Sequence, residues 1–277
     1  MFILYDNKMN KLDFPDGVKP LDIFISSINK ERETSRVEGS HLKRDNGFVY
    51  GERDIELDLW MKAHDTEDYR LLRDEIYALF DRVGYISEEY QKGKRYKVNV
   101  DDQYIPERIE GTRLFAKAKI MCTTDGLPFA ESIGTTSLID KNGVSADDAL
   151  WGYGMGIIAD DALHQYSHKV DALQPFNIFN AGNVSIHPFH QDLTITITGV
   201  TGEGLRVRNG TTDEVFEFKD FLNAKDVLKI DGPNITLNGT QALRSTNRKF
   251  LTFAVGRNSL WSNKPIEMSV EMRFYYK

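Results

Sequence analysis

The chain has 277 residues, 40% of them aliphatic or aromatic, the share of a globular protein with real cores. It carries 42 acidic and 35 basic residues for a net charge of −7, which argues against a nucleic-acid binder, since such proteins present a basic face. A single cysteine, Cys122, excludes an internal disulfide, and no stretch nears the roughly 18 apolar residues of a membrane span.

The opening "MFILYDNKMNKLDF" meets a charge at Asp6 and does not read as a signal peptide. "FISSINKERETSRVEGSHLKRDNGFVY" begins apolar, turns very polar and becomes apolar again, a pattern that fits strands around a projecting, charged hairpin arm and also fits an ordinary loop. "RDIELDLWMK" alternates, with Ile55, Leu57, Leu59 and Met61 on one face, the mark of a half-buried strand. "HDTEDYRLLRDEIYALFDRVG" predicts a helix: Asp65 or Thr66 caps it, Glu67 and Asp68 suit its positive end, and Tyr69, Leu72, Ile76, Leu79, Phe80 and Val83 form one stripe. Gly84 is expected to stop it in a left-handed conformation. Three strands are expected next, in "YISEEY", "KRYKVNV" and "TRLFAKAKIMC", with Cys122 a small buried hydrophobe of the last. Strands around one helix predict an α+β domain over residues 1–130.

Residues 131–175 are expected to form a connector. They include glycine-rich "WGYGMG" between two copies of "ADDAL", too short a repeat to claim an array. From residue 176 to 277 the pattern is all-β. "LTITIT", "GLRVRN", "VFEF", "VLKI", "NITLN" and "IEMSVEMRFYY" alternate, and "RNGT", "IDGP" and "LNGT" are hairpin turn signals. Short strands at this spacing predict a sandwich or barrel. Asn183, Asn209, Asn234 and Asn238 sit in glycosylation-like triplets and read as turn asparagines. The charge is uneven: residues 1–170 hold 31 acids and 23 bases, and 171–277 hold 11 and 12, as for two units meeting different partners.

Candidate chemistry is thin. His164 and His168 in "HQYSH" would share a helix face as metal pairs do, but the helical pattern is weak and the glutamate of H-E-x-x-H is missing. His187 and His190 flank Pro188, which favours a bend at a strand entrance over a ligand pair. The acidic pairs Asp147–Asp148 and Asp160–Asp161 lack the spacing of a calcium loop. No nucleophile elbow, phosphate-binding loop or dinucleotide fingerprint is present, and Cys122 has no base near it in sequence. No catalytic residue, metal ligand or cofactor is assigned, and the protein is expected not to be an enzyme. Trp60, Trp151 and Trp261 are available to stack on sugars, although tryptophan more commonly packs in cores or interfaces. Trp261 is the candidate sugar or partner contact.

The order and spacing of "GERDIELDLWM", "DYRLLRDEIYALF", "KRYKVNVDD", "GTRLFAKAKIMCTTDGLPFAES", "WGYGMG", "FNAGNVSIHPF", "LTITITG", "GLRVRNGTTDEVFEF", "VLKIDGPNITLNG", "FAVGRNSLW" and "MRFYY" resemble the distal tail protein (Dit) family of long-tailed siphovirus phages that infect Gram-positive bacteria. The connector and "NAGNVSIHPF" look nearest to staphylococcal members. The resemblance implies a mainly β fold: an N-terminal α+β domain, a β-sheet or split barrel with one helix and an extended arm, and a C-terminal galectin-like β-sandwich. It implies a virion protein, made in the host cytoplasm, that forms a homo-hexameric ring at the distal end of the tail and joins the tail tube to the tail tip or baseplate. Implied partners are the major tail tube protein, the tail tip or tail-associated protein, the tape-measure protein and receptor-binding baseplate components. Neither specific nucleic-acid binding nor membrane insertion is expected. The segment Glu31–Gly47, with Glu31, Arg32, Arg36, His41, Lys43 and Arg44, matches the inter-subunit arm by position and polarity. His187–Phe189 does not reproduce a galectin sugar-binding motif. Two other readings stand beside this one: a carbohydrate-binding module that contacts cell-wall sugars, and a metal-dependent hydrolase built on the histidines.

Overall fold

The structure, a computed structural model, describes residues 1–39, 41–109, 114–144, 150–157 and 162–277. They divide into two compact units, Met1–Ala130 with Lys277, and Glu131–Tyr276.

In the first unit the strands are β1 (Phe2–Tyr5), β2 (Lys11–Leu12), β3 (Val18–Ile25), β4 (Lys30–Arg36), β5 (Lys43–Tyr50) and β6 (Asp54–Lys62), then helix α1 (Thr66–Phe80), then β7 (Tyr85–Glu88), β8 (Lys94–Asn99), β9 (Glu107–Arg108) and β10 (Phe115–Thr124). The main sheet runs β2-β1-β7-β8-β10-β6-β3, and β9 adds to β10. β6 sits between β10 and β3 because its alternation supplies an apolar face, and two antiparallel neighbours satisfy both edges of its backbone. Ile55, Leu57, Leu59 and Met61 are fully buried beneath the α1 stripe of Tyr69, Leu72, Ile76, Leu79 and Phe80. Each such aliphatic side chain contributes about 1.5–3 kcal/mol by leaving water.

The Asp65 side chain accepts from the Asp68 N–H at 2.8 Å and caps α1, as its sequence predicts. The stop differs from expectation. Asp81 closes the helix in the right-handed region, and Gly84 is not among the positive-φ residues. Gly84 is glycine for room: a Cβ there would lie 2.1 Å from Asn7 Oδ1 and 3.1 Å from Asn7 Cα.

Next come β11 (Ala130–Ser132), whose last two residues begin the second unit, and a helix that the sequence pattern did not predict, α2 (Thr136–Asn142). Thr136 fastens it. Its Oγ1 donates to the Val270 carbonyl at 2.7 Å and accepts from the Met272 N–H at 3.0 Å. Trp151 and Met155, from the glycine-rich stretch, are buried, and Tyr276 Oη donates to the Met155 carbonyl at 2.9 Å.

The strands that follow are β12 (Ser167–Val170), β13 (Phe176–Asn180), β14 (Leu193–Thr198), β15 (Leu205–Asn209), β16 (Glu214–Phe218), β17 (Leu228–Asp231), β18 (Asn234–Leu237), β19 (Thr240–Gln241), β20 (Gly256–Ser262), β21 (Ile266–Met272) and β22 (Tyr275–Tyr276). β22 pairs with β11, and the others form two antiparallel sheets, β12-β21-β14-β17-β18-β19 and β13-β20-β15-β16. Leu193, Ile195, Ile197, Met268 and Val270 bury the inner face of one, and Ile178, Val207, Phe216, Phe218 and Leu260 that of the other, which makes a β-sandwich. Two predicted turns join predicted strands, β15 to β16 and β17 to β18, and the third leads from β18 into β19, which the sequence pattern did not predict. Asn238 and Gly239, both at positive φ, connect β18 to β19.

Candidate interaction surfaces

Among the described residues β4 and β5 pair only with each other, in a two-stranded ladder. Every residue of β4 and all of β5 but Tyr50 are exposed, because the sequence offers no apolar alternation to bury. This ladder covers the segment that the sequence analysis expects to be the arm. Glu31, Arg32 and Arg36 lie on β4, Lys43 and Arg44 on β5, and His41 between the strands, all exposed. Arg32 pairs with Asp45 at 2.6 Å, and Lys30 lies over the Phe48 ring at 5.2 Å. The rings of Phe48, Tyr50 and Phe129 meet edge to face in series, at 5.1 and 5.6 Å. They form an aromatic cluster at the base of the ladder.

The histidines do not converge. His164 is buried, with Nδ1 3.3 Å from Tyr166 Oη and its ring against Phe179. His168 lies on a strand, not a helix, and packs its ring on Phe176. His187 and His190 do meet, rings 5.0 Å apart, on the bend around Pro188. The Phe189 N–H donates to His187 Nδ1 at 3.2 Å, so this nitrogen carries no proton. Burial, and then the neighbouring His190, lower the His187 pKa. Among the described residues no group of three or more His, Cys, Asp or Glu is placed to hold a metal ion. Asp147, Asp148, Asp160 and Asp161, and most of both "ADDAL" copies, lie outside the described residues. Cys122 sits in the β10 core, 1% exposed, and burial pushes its thiol up to about 12.

Trp261 lies on β20, half-buried. The Arg208 guanidinium covers its ring at 5.2 Å and is itself paired with Asp213. Gly210 lies at the ring edge, where a Cβ would stand 2.5 Å from Cζ3. The ring therefore holds the β15–β16 turn against β20. Beside this turn, His187, Phe189, Phe250, Arg248 and Lys249 line a cavity of about 320 Å³, with Phe189 and Phe250 edge to face at 4.7 Å.

One surface had no sequence signal strong enough to find it. Past the end of α1, Tyr77, Phe80 and Tyr104 floor a groove of about 350 Å³, bordered by Asp81, Asp102 and Ile105. The Tyr69 hydroxyl donates to the Pro106 carbonyl at 2.9 Å and holds the loop that makes one wall. The only hint in "DDQYIPE" is Ile105, an apolar residue among polar ones that stays 76% exposed.

Residues 16–120 match the family model of the phage tail protein RIFT-related domain. Among solved structures, the crystal structure of the SPP1 Dit protein aligns with 99% of this chain and 99% of its own, at 12% identity and a TM-score of 0.63, a likeness of fold. Two structures of the phage p2 baseplate in its activated conformation align less well. The strontium form has a TM-score of 0.40 at 11% identity over 98% of this chain and 97% of that one. The calcium form has 0.37 at 10% identity over 99% and 97%. No curated protein sequence matches the chain.

Proposed function

We infer that the chain belongs with the distal tail proteins of siphophages and is a structural hub of the virion tail. The family match over β3 to β10 and the fold shared with the SPP1 protein along the whole chain support the assignment. That SPP1 protein is a hub of the adsorption apparatus in phages infecting Gram-positive bacteria. The single observation that carries the reading furthest is the whole-chain fold, since it spans both units and not the RIFT-related segment alone.

In the finer reading, six copies form a closed ring at the distal end of the tail. The first unit makes the ring, and the second supports receptor-binding baseplate components. The ring joins the tail tube protein above to the tail tip or tail-associated protein below, with the tape-measure protein passing between. The exposed β4–β5 arm, Glu31 to Gly47, clasps the next copy. Such contacts are heterologous and close when the rotation does. The role is non-enzymatic.

Negative-stain imaging and light scattering of the purified chain test this, alone and mixed with tail tube and tip proteins. A ring of about six copies is expected, from the chain alone or on mixing. A chain that stays monomeric and joins neither partner overturns it. The carbohydrate-module reading needs an open aromatic face, and Arg208 shares that of Trp261. Glycan binding by the full chain that Trp261→Ala abolishes would reinstate it.

A further inference from the structure

In the second unit, the bend around Pro188 and the segment Arg248–Thr252 meet beside the start of β16. The cavity of about 320 Å³ between them is at the small end of the roughly 300–1,000 Å³ of small-molecule sites. Its lining combines three chemistries. The first is aromatic. Phe189 is 50% exposed, and its ring is fixed edge to face on Phe250 at 4.7 Å and tilted on His187 at 5.2 Å. An exposed ring held in this way is a platform for the apolar face of another ring.

The second chemistry is cationic. Arg248 and Lys249 are exposed, and among the described residues neither forms an ion pair. Arg248 stands at a φ of 57°, a left-handed conformation that glycine enters freely and arginine does not. Its N–H donates to Thr246 Oγ1 and the Lys249 N–H to Asn247 Oδ1, both at 3.1 Å, which holds the strained turn with both cations on the cavity wall. His187 adds a neutral donor: its Nδ1 accepts the Phe189 N–H, so the proton of the neutral ring is on Nε2. The third chemistry is acidic, and both acids already have partners. Asp213 pairs with Arg208. Glu214 Oε2 accepts the Thr252 N–H at 2.6 Å and the Thr212 and Thr252 hydroxyls at 2.8 Å each, which fixes the carboxylate and leaves Oε1 as an acceptor.

We propose that this cavity binds a phosphorylated saccharide, with the sugar ring on Phe189 and Phe250, the phosphate on Arg248, Lys249 and the His187 Nε2–H, and a sugar hydroxyl on Glu214 Oε1. Each part of the lining selects a part of the ligand. Two unpaired cations select an anion, and the arginine fork suits the oxygens of a phosphate. The rings select an apolar ring face, which an inorganic ion lacks. A carboxylate in the same wall selects a hydroxyl donor. The site does not use the Trp261 ring, and it lies within the second unit, so it stands or falls apart from the ring reading.

Ligand-observed NMR on the full chain tests it, with glucose 6-phosphate, glucose and inorganic phosphate as probes. Saturation should pass from the protein to the sugar-ring protons of glucose 6-phosphate, and this probe should bind at least about tenfold more tightly than the other two. Arg248→Gln with Lys249→Gln should weaken it at least about tenfold, because charged hydrogen bonds are lost. Arg244→Gln with Lys225→Gln, the same change of charge away from the cavity, should leave it unchanged. Phe189→Ala removes an exposed ring and should cut the transfer to the sugar protons while the thermal transition stays in place. A glucosylated poly(glycerol phosphate) separates the two sources of the ligand: tighter binding than glucose 6-phosphate assigns a phosphate-linked glycan chain, and equal or weaker binding assigns the free sugar phosphate. The site is overturned by no saturation transfer from the native chain, by inorganic phosphate bound as tightly as glucose 6-phosphate, or by binding that survives both the double cation variant and Phe189→Ala.

Discussion

Single side chains in this protein are set by how much room and water they are left. Gly84 has Asn7 where a side chain would begin, so Gly84→Ala is expected to destabilise the first unit by about 1–3 kcal/mol, read as a lower midpoint in urea. Cys122 is held protonated by burial, so maleimide should leave it unmodified at pH 8 in the native chain and label it fully once urea unfolds the chain. His187 titrates in the opposite sense. Burial and His190 lower its folded pKa, and the Phe189 N–H occupies Nδ1. The unfolded chain therefore takes up this proton first. The contribution is intact above the unfolded histidine pKa of about 6.5 and is lost as pH falls through the lower folded value. The difference in Tm between the native chain and His187→Gln should narrow or reverse below about pH 6 and not above pH 7. A difference that does not change with pH would remove His187 from the acid response.

At the scale of elements, periodicity was legible where one face is buried and silent where it is not. β6 alternates buried and half-buried residues between its exposed ends, as "RDIELDLWMK" predicts, and the α1 stripe is buried as its spacing predicts. The Asp65 cap is specific enough that Asp65→Ala should cost about 1 kcal/mol. α2 escaped notice because its seven residues span two turns and bury only Thr136 and Ile139, too few to make a stripe. Its anchor is a side chain bonded to distant backbone. Thr136→Val keeps the shape but leaves the buried Met272 N–H without its acceptor, and should cost about 1–3 kcal/mol in a denaturation series. The segment Glu31–Gly47 shows the reverse. Its polar run was equally consistent with a loop, and the ladder between β4 and β5 is what makes it a hairpin.

For the whole molecule the prediction with most reach is the loss of assembly, with both units still folded, when Glu31–Gly47 is deleted. Far-UV circular dichroism and a retained thermal transition would check the fold, and light scattering the assembly. Among the described residues β4 and β5 pair with no other strand and are exposed but for Tyr50, so removing Glu31–Gly47 is expected to leave the core of the first unit covered. The amino-acid sequence by itself determined the class of the fold. Period-two strands, one long amphipathic helix and Asn-Gly turns are local properties, written within a few residues of where they act. It also limited the chemistry, because a nucleophile elbow or a phosphate loop is a contiguous motif. What only the tertiary structure decided is what meets across the chain. It parted His164 from His187, laid Arg208 over Trp261, and assembled Tyr77, Asp81, Asp102 and Tyr104 into one groove. The physical reason is the same in each case: side chains far apart in sequence are brought together by strand register and helix packing, and no local pattern records the distance between them.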